Sequence, residues 1–137
     1  MFGLNSGKCK RQLQRALSDC FDPLKGELGN VPPTLNNSPY ITGSMLGICE
    51  AYANILNITK SQTIALIVDA TFEEVFRADA TSVLIQVDHW KTNNEKEFMD
   101  AYQQAKSKTS QDGKSLDVSW LKNYAVEHFE PSRTLML

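Results

Sequence analysis

Chemistry in this chain would have to come from few residues: Cys49, His89, His128 and the carboxylates Glu50, Asp69, Glu73 and Asp88. A helical di-iron site needs Glu-x-x-His on two helices. Here Gln86 and Ala125 stand three residues before the two histidines, so both copies are missing. Zinc is disfavoured because Cys9, Cys20 and Cys49 lie far apart and neither histidine is at ligand spacing to another ligand. Asp112-Gly113 lacks the alternating acidic positions of a calcium loop. No metal and no cofactor is expected.

A thiol nucleophile would be Cys49, with His89 or His128 as base and Glu50 as orienter. Cys49 sits in the most apolar segment of the chain, where a thiol behaves as a small core residue. Gly43-Ser44-Met45-Leu46-Gly47 falls inside a helical pattern rather than after a strand, so it makes no phosphate cradle, and no nucleophile elbow or nucleotide-binding glycine motif occurs. The histidines are read as ordinary residues near helix C-termini, which the dipole favours. No catalytic residue is assigned and the chain is expected not to be an enzyme.

Binding is the remaining class. Lys8, Arg11 and Arg15 share one face of a first helix; they form either a solvated face or a dock for an acidic surface. Residues 1–25 carry five basic and two acidic side chains, whereas residues 50–90 carry two basic and six acidic ones. Glu50, Asn54 and Asn57 are spaced to form a narrow polar strip facing solvent. A buried Glu50 would need a partner, and Arg77, Arg11, Arg15, Tyr52 or Tyr124 could supply it. The sequence ends in Leu135, Met136 and Leu137, an apolar tail that either packs back or meets a partner.

The elements that must position these residues are all helical. At 137 residues, 42% hydrophobic and 22% charged, the chain fits one domain with its own core. Residues 39–57 form a central helix, capped by Ser38 with Pro39 at its first position; Gly43, Gly47 and Ala51 give it a close-packing edge. A helix over 7–22, capped by Asn5 or Ser6, precedes a Pro/Gly-rich connector, 23–37, which either wraps the surface or acts as a detachable arm. Thr59-Lys60-Ser61-Gln62 matches a capping box for a helix over 60–77, with Glu73 and Arg77 spaced to pair. Residues 81–87 have a strand-like composition, but no second strand exists for them to pair with. The spacing of Val83, Leu84, Val87 and Trp90 favours a helix over 80–91, continuous with the preceding one through Ala78-Asp79-Ala80. Thr92-Asn93-Asn94-Glu95 matches a second capping box, for a polar helix over 93–109; residues 110–113 read as a turn, and a last helix covers 115–129.

The fold class is therefore all-α: a single-domain bundle of five to six helices. Net charge of −2 gives no general attraction to nucleic acid. A membrane span over 41–56 would place Glu50 near mid-bilayer at a cost of several kcal/mol. Three cysteines without CxxC spacing, and no signal-like apolar run at the N-terminus, point to reduced thiols in a cytoplasmic protein. The leading functional expectation is a non-enzymatic protein–protein interaction module (adaptor, chaperone-like or inhibitor protein) that also self-associates. The alternatives are a small-ligand bundle with a pocket lined by Tyr52, Phe72, Phe76, Trp90 and Trp120, and a thiol enzyme using Cys49.

Overall fold

In the computed structural model, which describes residues 4–132, the central helix starts as its first residues dictate. Helix α3, Pro39–Ile55, is one of seven helices in the described residues, with α1 (Leu4–Cys20), α2 (the single turn Pro33–Asn36), α4 (Ser61–Phe76), α5 (Ala80–Thr92), α6 (Lys96–Asp112) and α7 (Ser119–His128). No strand occurs among the described residues, and no helix is long and apolar enough to cross a membrane. The Ser38 hydroxyl accepts from the Ile41 amide at 3.1 Å, and Pro39 supplies a first helical residue whose missing N–H costs nothing.

From Ile41 to Ala53 every residue of α3 except Glu50 is buried. The helix is central because α6 lies directly along it. A Cβ at Gly43 would stand 2.5 Å from the Phe98 carbonyl oxygen, and one at Gly47 closer still to that of Tyr102. The two backbones thus meet with no side chain between them, and the buried seam of α6 answers with small residues, Ala101 and Ala105, beside Phe98 and Tyr102. Glycine is a poor helix former, so its placement twice in a helix interior is explained by this approach. Helix α1 buries Cys9, Leu13 and Leu17 and packs chiefly on α4, where the Gln14 amide donates to the Ala70 carbonyl at 3.1 Å.

The connector after α1 wraps the surface as an ordered segment. It sends Leu24, Val31 and Leu35 into the core and is tied at Ser132, whose amide donates to the Leu24 carbonyl at 2.8 Å. Among the described residues α1 already includes Leu4, so Asn5 and Ser6 lie inside it and are not its caps; the Asn5 amide instead reaches the Leu56 carbonyl at 3.4 Å.

Both expected capping boxes fail for a shared reason. Asn57 and Asn94 take positive φ, 64° and 52°, and reverse the chain before each new helix. The Ile58 amide bonds back to Ala53 and the Glu95 amide back to Trp90, both at 2.9 Å. Thr92 is consequently the last residue of α5, and Glu95 itself caps α6 by accepting from the Phe98 amide at 2.7 Å. Lys60, with extended backbone and no side-chain cap bond, precedes α4, which leaves Thr59 one position too early.

Residues 81–87 are helical, as their spacing requires. They do not continue α4: Arg77 takes φ 55°, the chain makes a short turn of 3-10 helix over Arg77–Asp79, and α5 folds back beside α4. A non-glycine residue there costs on the order of 1–3 kcal/mol. The reversal buries Phe72, Phe76, Ala80 and Val83 together in the core, which offsets that cost. The Arg77 guanidinium donates to the Leu28 carbonyl at 3.3 Å and forms no ion pair with Glu73. At the other end α6 runs through the expected turn to Asp112 and stops at Gly113, φ 62°; α7 starts late, at Ser119, whose amide is met by Asp117 at 2.9 Å.

The glycines generate a prediction of sign. Gly47→Ala forces α3 and α6 apart and should cost about 1–3 kcal/mol. Gly7→Ala, in α1 beside only the tip of the flexible Arg11 side chain, should be neutral or stabilising by up to about 1 kcal/mol. Urea midpoints for the two variants, moving in opposite directions, check the close-approach account.

Candidate functional site

The site begins with α4, whose residues facing the bundle change size along its length. Ser61 and Ala65 stand one turn apart near its start, while Phe72 and Phe76 occupy the same side near its end. The phenylalanines fill the space toward α5, where Phe76, Ala80 and Val83 close the hairpin. The small residues do not, so the start of α4 and the end of α5 leave a groove of about 530 Å³ against α3.

Its floor is apolar: Leu46 from α3, Ile64, Ala65 and Val68 from α4, and Leu84 and Val87 from α5. Leu46, Val68 and Val87 are buried, so this surface belongs to the core and is held in place by it. The rim is polar, with Glu50 and Asn54 on α3, Asp69 on α4, and Asp88 and Lys91 on α5. Apolar concavities edged by a few polar groups are the usual form of a binding site.

Glu50 does not lie on a simple solvent-facing strip. Its side chain is 21% exposed and accepts a short hydrogen bond from the Tyr102 hydroxyl of α6. Lys91 Nζ is 3.7 Å and Lys106 Nζ 3.9 Å from the carboxylate, and Lys106 also donates to the Tyr102 oxygen at 3.4 Å. None of the partners considered from sequence takes this place. Arg77 is held by Leu28, Tyr52 donates to Gln12 Oε1 at 2.6 Å, and Tyr124 stacks on Tyr40 with ring centroids 3.8 Å apart. Burial, and next the Glu50 carboxylate beside it, push the Tyr102 hydroxyl well above the ordinary tyrosine range. Tyr102 is therefore a neutral donor that fixes Glu50, and not a base.

Of the residues expected to bind, Glu50 and Asn54 lie together on the groove. Asn57 leaves the strip because its backbone turns away after α3. Lys8, Arg11 and Arg15 are exposed on α1, do not line the groove, and form no ion pair with another described residue, so the acidic 50–90 segment of the same chain does not receive them. Leu135, Met136 and Leu137 lie outside the described residues. Asp69 and Asp88 stand out in the sequence only as carboxylates available for metal chemistry, not as members of a binding surface, and Lys91 does not stand out at all. The signal that could have found them is the Ser61/Ala65 pair, two small residues on the side of α4 that carries Phe72 and Phe76 further along.

The other constellations do not assemble. Cys49 is fully buried; burial raises its thiol above the ordinary range, and its polar neighbour is Thr71. His89 contacts Asn93, and His128 donates from Nδ1 to the Tyr124 carbonyl at 2.9 Å, so neither histidine serves the thiol. No group of three or more potential metal ligands occurs among the described residues. Tyr52, Phe72 and Phe76 are core residues, Trp90 packs on Phe98 at 6.0 Å between centroids, and Trp120 carries Lys108 at 4.1 Å from its ring; none of the five lines the groove. No family model, curated protein or solved structure matches the chain.

Two outcomes follow for the polar cluster and the buried thiols. Tyr102→Phe leaves the half-buried Glu50 without its closest donor and should lower stability by about 1–2 kcal/mol at neutral pH, read from urea unfolding. Burial also pushes the Cys9 thiol up to about 11 from an ordinary 9.0. A group with a raised folded-state pKa contributes stability that is full below its unfolded value and is lost as the pH climbs through the folded one. Unfolding at pH 8 and at pH 10.5 should therefore differ by roughly 2 kcal/mol or more, with the alkaline sample less stable.

Proposed function

We propose that this protein is a non-enzymatic interaction module that receives an apolar segment of a partner protein in the groove between α3, α4 and α5. The observation that carries the reading is the floor: six apolar residues from three helices meet in one concavity, on rigid elements and not on loops. A pre-formed apolar concavity with a polar rim is the common form of a binding site. The buried Cys49, the separated histidines and the neutral Tyr102 give no comparable support to an enzymatic reading. Free, buried Cys9, Cys20 and Cys49 suit a reducing compartment such as the cytoplasm.

Ala65 offers a direct test because it is exposed and its substitution fills the groove without entering the core. A displayed library of random peptides about 15 residues long would be selected on the wild type and on Ala65→Trp, the two matched for thermal unfolding. Convergent apolar sequences retained only by the wild type are expected. Binders indifferent to Ala65→Trp, or no enrichment on the wild type, would overturn the reading.

A further inference from the structure

The rim of the groove is unevenly neutralised. Glu50 already has Lys91, Lys106 and the Tyr102 hydroxyl around it. Asp69 on the α4 wall and Asp88 on the α5 wall are exposed and form no ion pair with any described residue. These two carboxylates come from two of the three helices that frame the groove, so an occupant lying on the apolar floor has an unpaired carboxylate available from each of those walls. Cations on that occupant meet them without either aspartate having to leave an existing partner. The charge pattern thus selects for lysine or arginine flanking an apolar stripe, and an acidic occupant is repelled.

The walls also restrict the occupant's backbone. All three are helices whose backbone groups, apart from the uncapped first turn of α4, are bonded internally, and no strand edge lies among the described residues. An extended segment laid on the floor would find no ladder for its own N–H and C=O groups, and the rim supplies only a few side-chain partners, such as Asn54, Thr59 and Ser61. A helix satisfies its backbone internally and presents apolar residues at i, i+3, i+4 and i+7 to such a floor.

Resting on the interaction reading above, we infer that the partner segment is a cationic amphipathic helix, its apolar face on Ile64, Ala65 and Leu84 and its basic residues paired with Asp69 and Asp88. The inference is separate from that reading, because a groove can accept apolar segments with no preference for charge.

The test uses defined probes on the full chain. A helical peptide of about 15 residues with leucine on one face and lysine on the other would be titrated by fluorescence anisotropy, alongside a counterpart in which every lysine is glutamate. The wild type, Ala65→Trp and the double variant Asp69→Asn/Asp88→Asn would be compared at about 50 mM salt and again at about 200 mM. The Leu/Lys peptide should bind the wild type, weaken about fivefold on the double asparagine variant at low salt, lose much of that difference at high salt, and fail on Ala65→Trp. The Leu/Glu peptide should not bind. Equal binding of the two peptides, or of the Leu/Lys peptide to the wild type and the asparagine variant, overturns the charge inference and leaves the groove reading standing. Failure of the Leu/Lys peptide on the wild type overturns the inference too, while the library selection decides the groove reading independently.

Discussion

The approach of α3 to α6 is the constraint on which the rest of the structure depends. At Gly43 and Gly47 the α3 backbone comes against the carbonyls of Phe98 and Tyr102 with no side chain between. Such contact gains dispersion over a long seam and tolerates little change in volume on either side. With α6 held this close, the Tyr102 ring lies near Glu50 and its hydroxyl meets the carboxylate. An isolated carboxylate so little exposed would be costly; the tyrosine and two lysines turn it into a fixed polar corner linking α3, α5 and α6. That corner is one end of the groove.

The groove itself reflects a division of labour along the α4–α5 hairpin. Its closed end is packed by Phe72, Phe76, Ala80 and Val83, and this packing supports the unfavourable backbone at Arg77. Its open end, with Ser61 and Ala65, gives up packing that bulkier residues would have supplied. The same helix therefore contributes stability at one end and accessible apolar surface at the other. Well-packed proteins seldom keep such a space without using it.

How much of this could be read from the sequence depends on the distance over which each feature is decided. The start of α3 was legible because Ser38 and Pro39 act on their own neighbours. The all-helical class and the apolar stripes were legible because periodicity is local, and the Gly43/Gly47 edge announced a close neighbour without saying which. The capping boxes misled because each competes with an asparagine that can adopt positive φ, and nothing within four residues shows which wins. The break at Arg77 was hidden because no glycine marks it; long-range burial of the phenylalanines decides it. The spacing of Glu50, Asn54 and Asn57 pointed to a solvent-facing strip, because the true partner of Glu50, Tyr102, lies 52 positions away and only the assembled bundle brings the two together.

The pairing of α3 with α6 also governs the order in which the molecule can be built. Gly47 and Tyr102 enclose the whole α4–α5 hairpin as a loop, and closing about 55 residues of flexible chain costs roughly 3.5 kcal/mol of entropy. The hairpin needs no such closure, because its two helices are neighbours along the chain. All three walls of the groove come from consecutive helices, α3, α4 and α5, while Tyr102 and Lys106, which hold Glu50 at its rim, arrive only when the long loop shuts. The groove with Glu50 fixed at its rim is a property of the finished fold. A molecule that engages Glu50 in that fixed position favours, by mass action, the chain with the long loop closed.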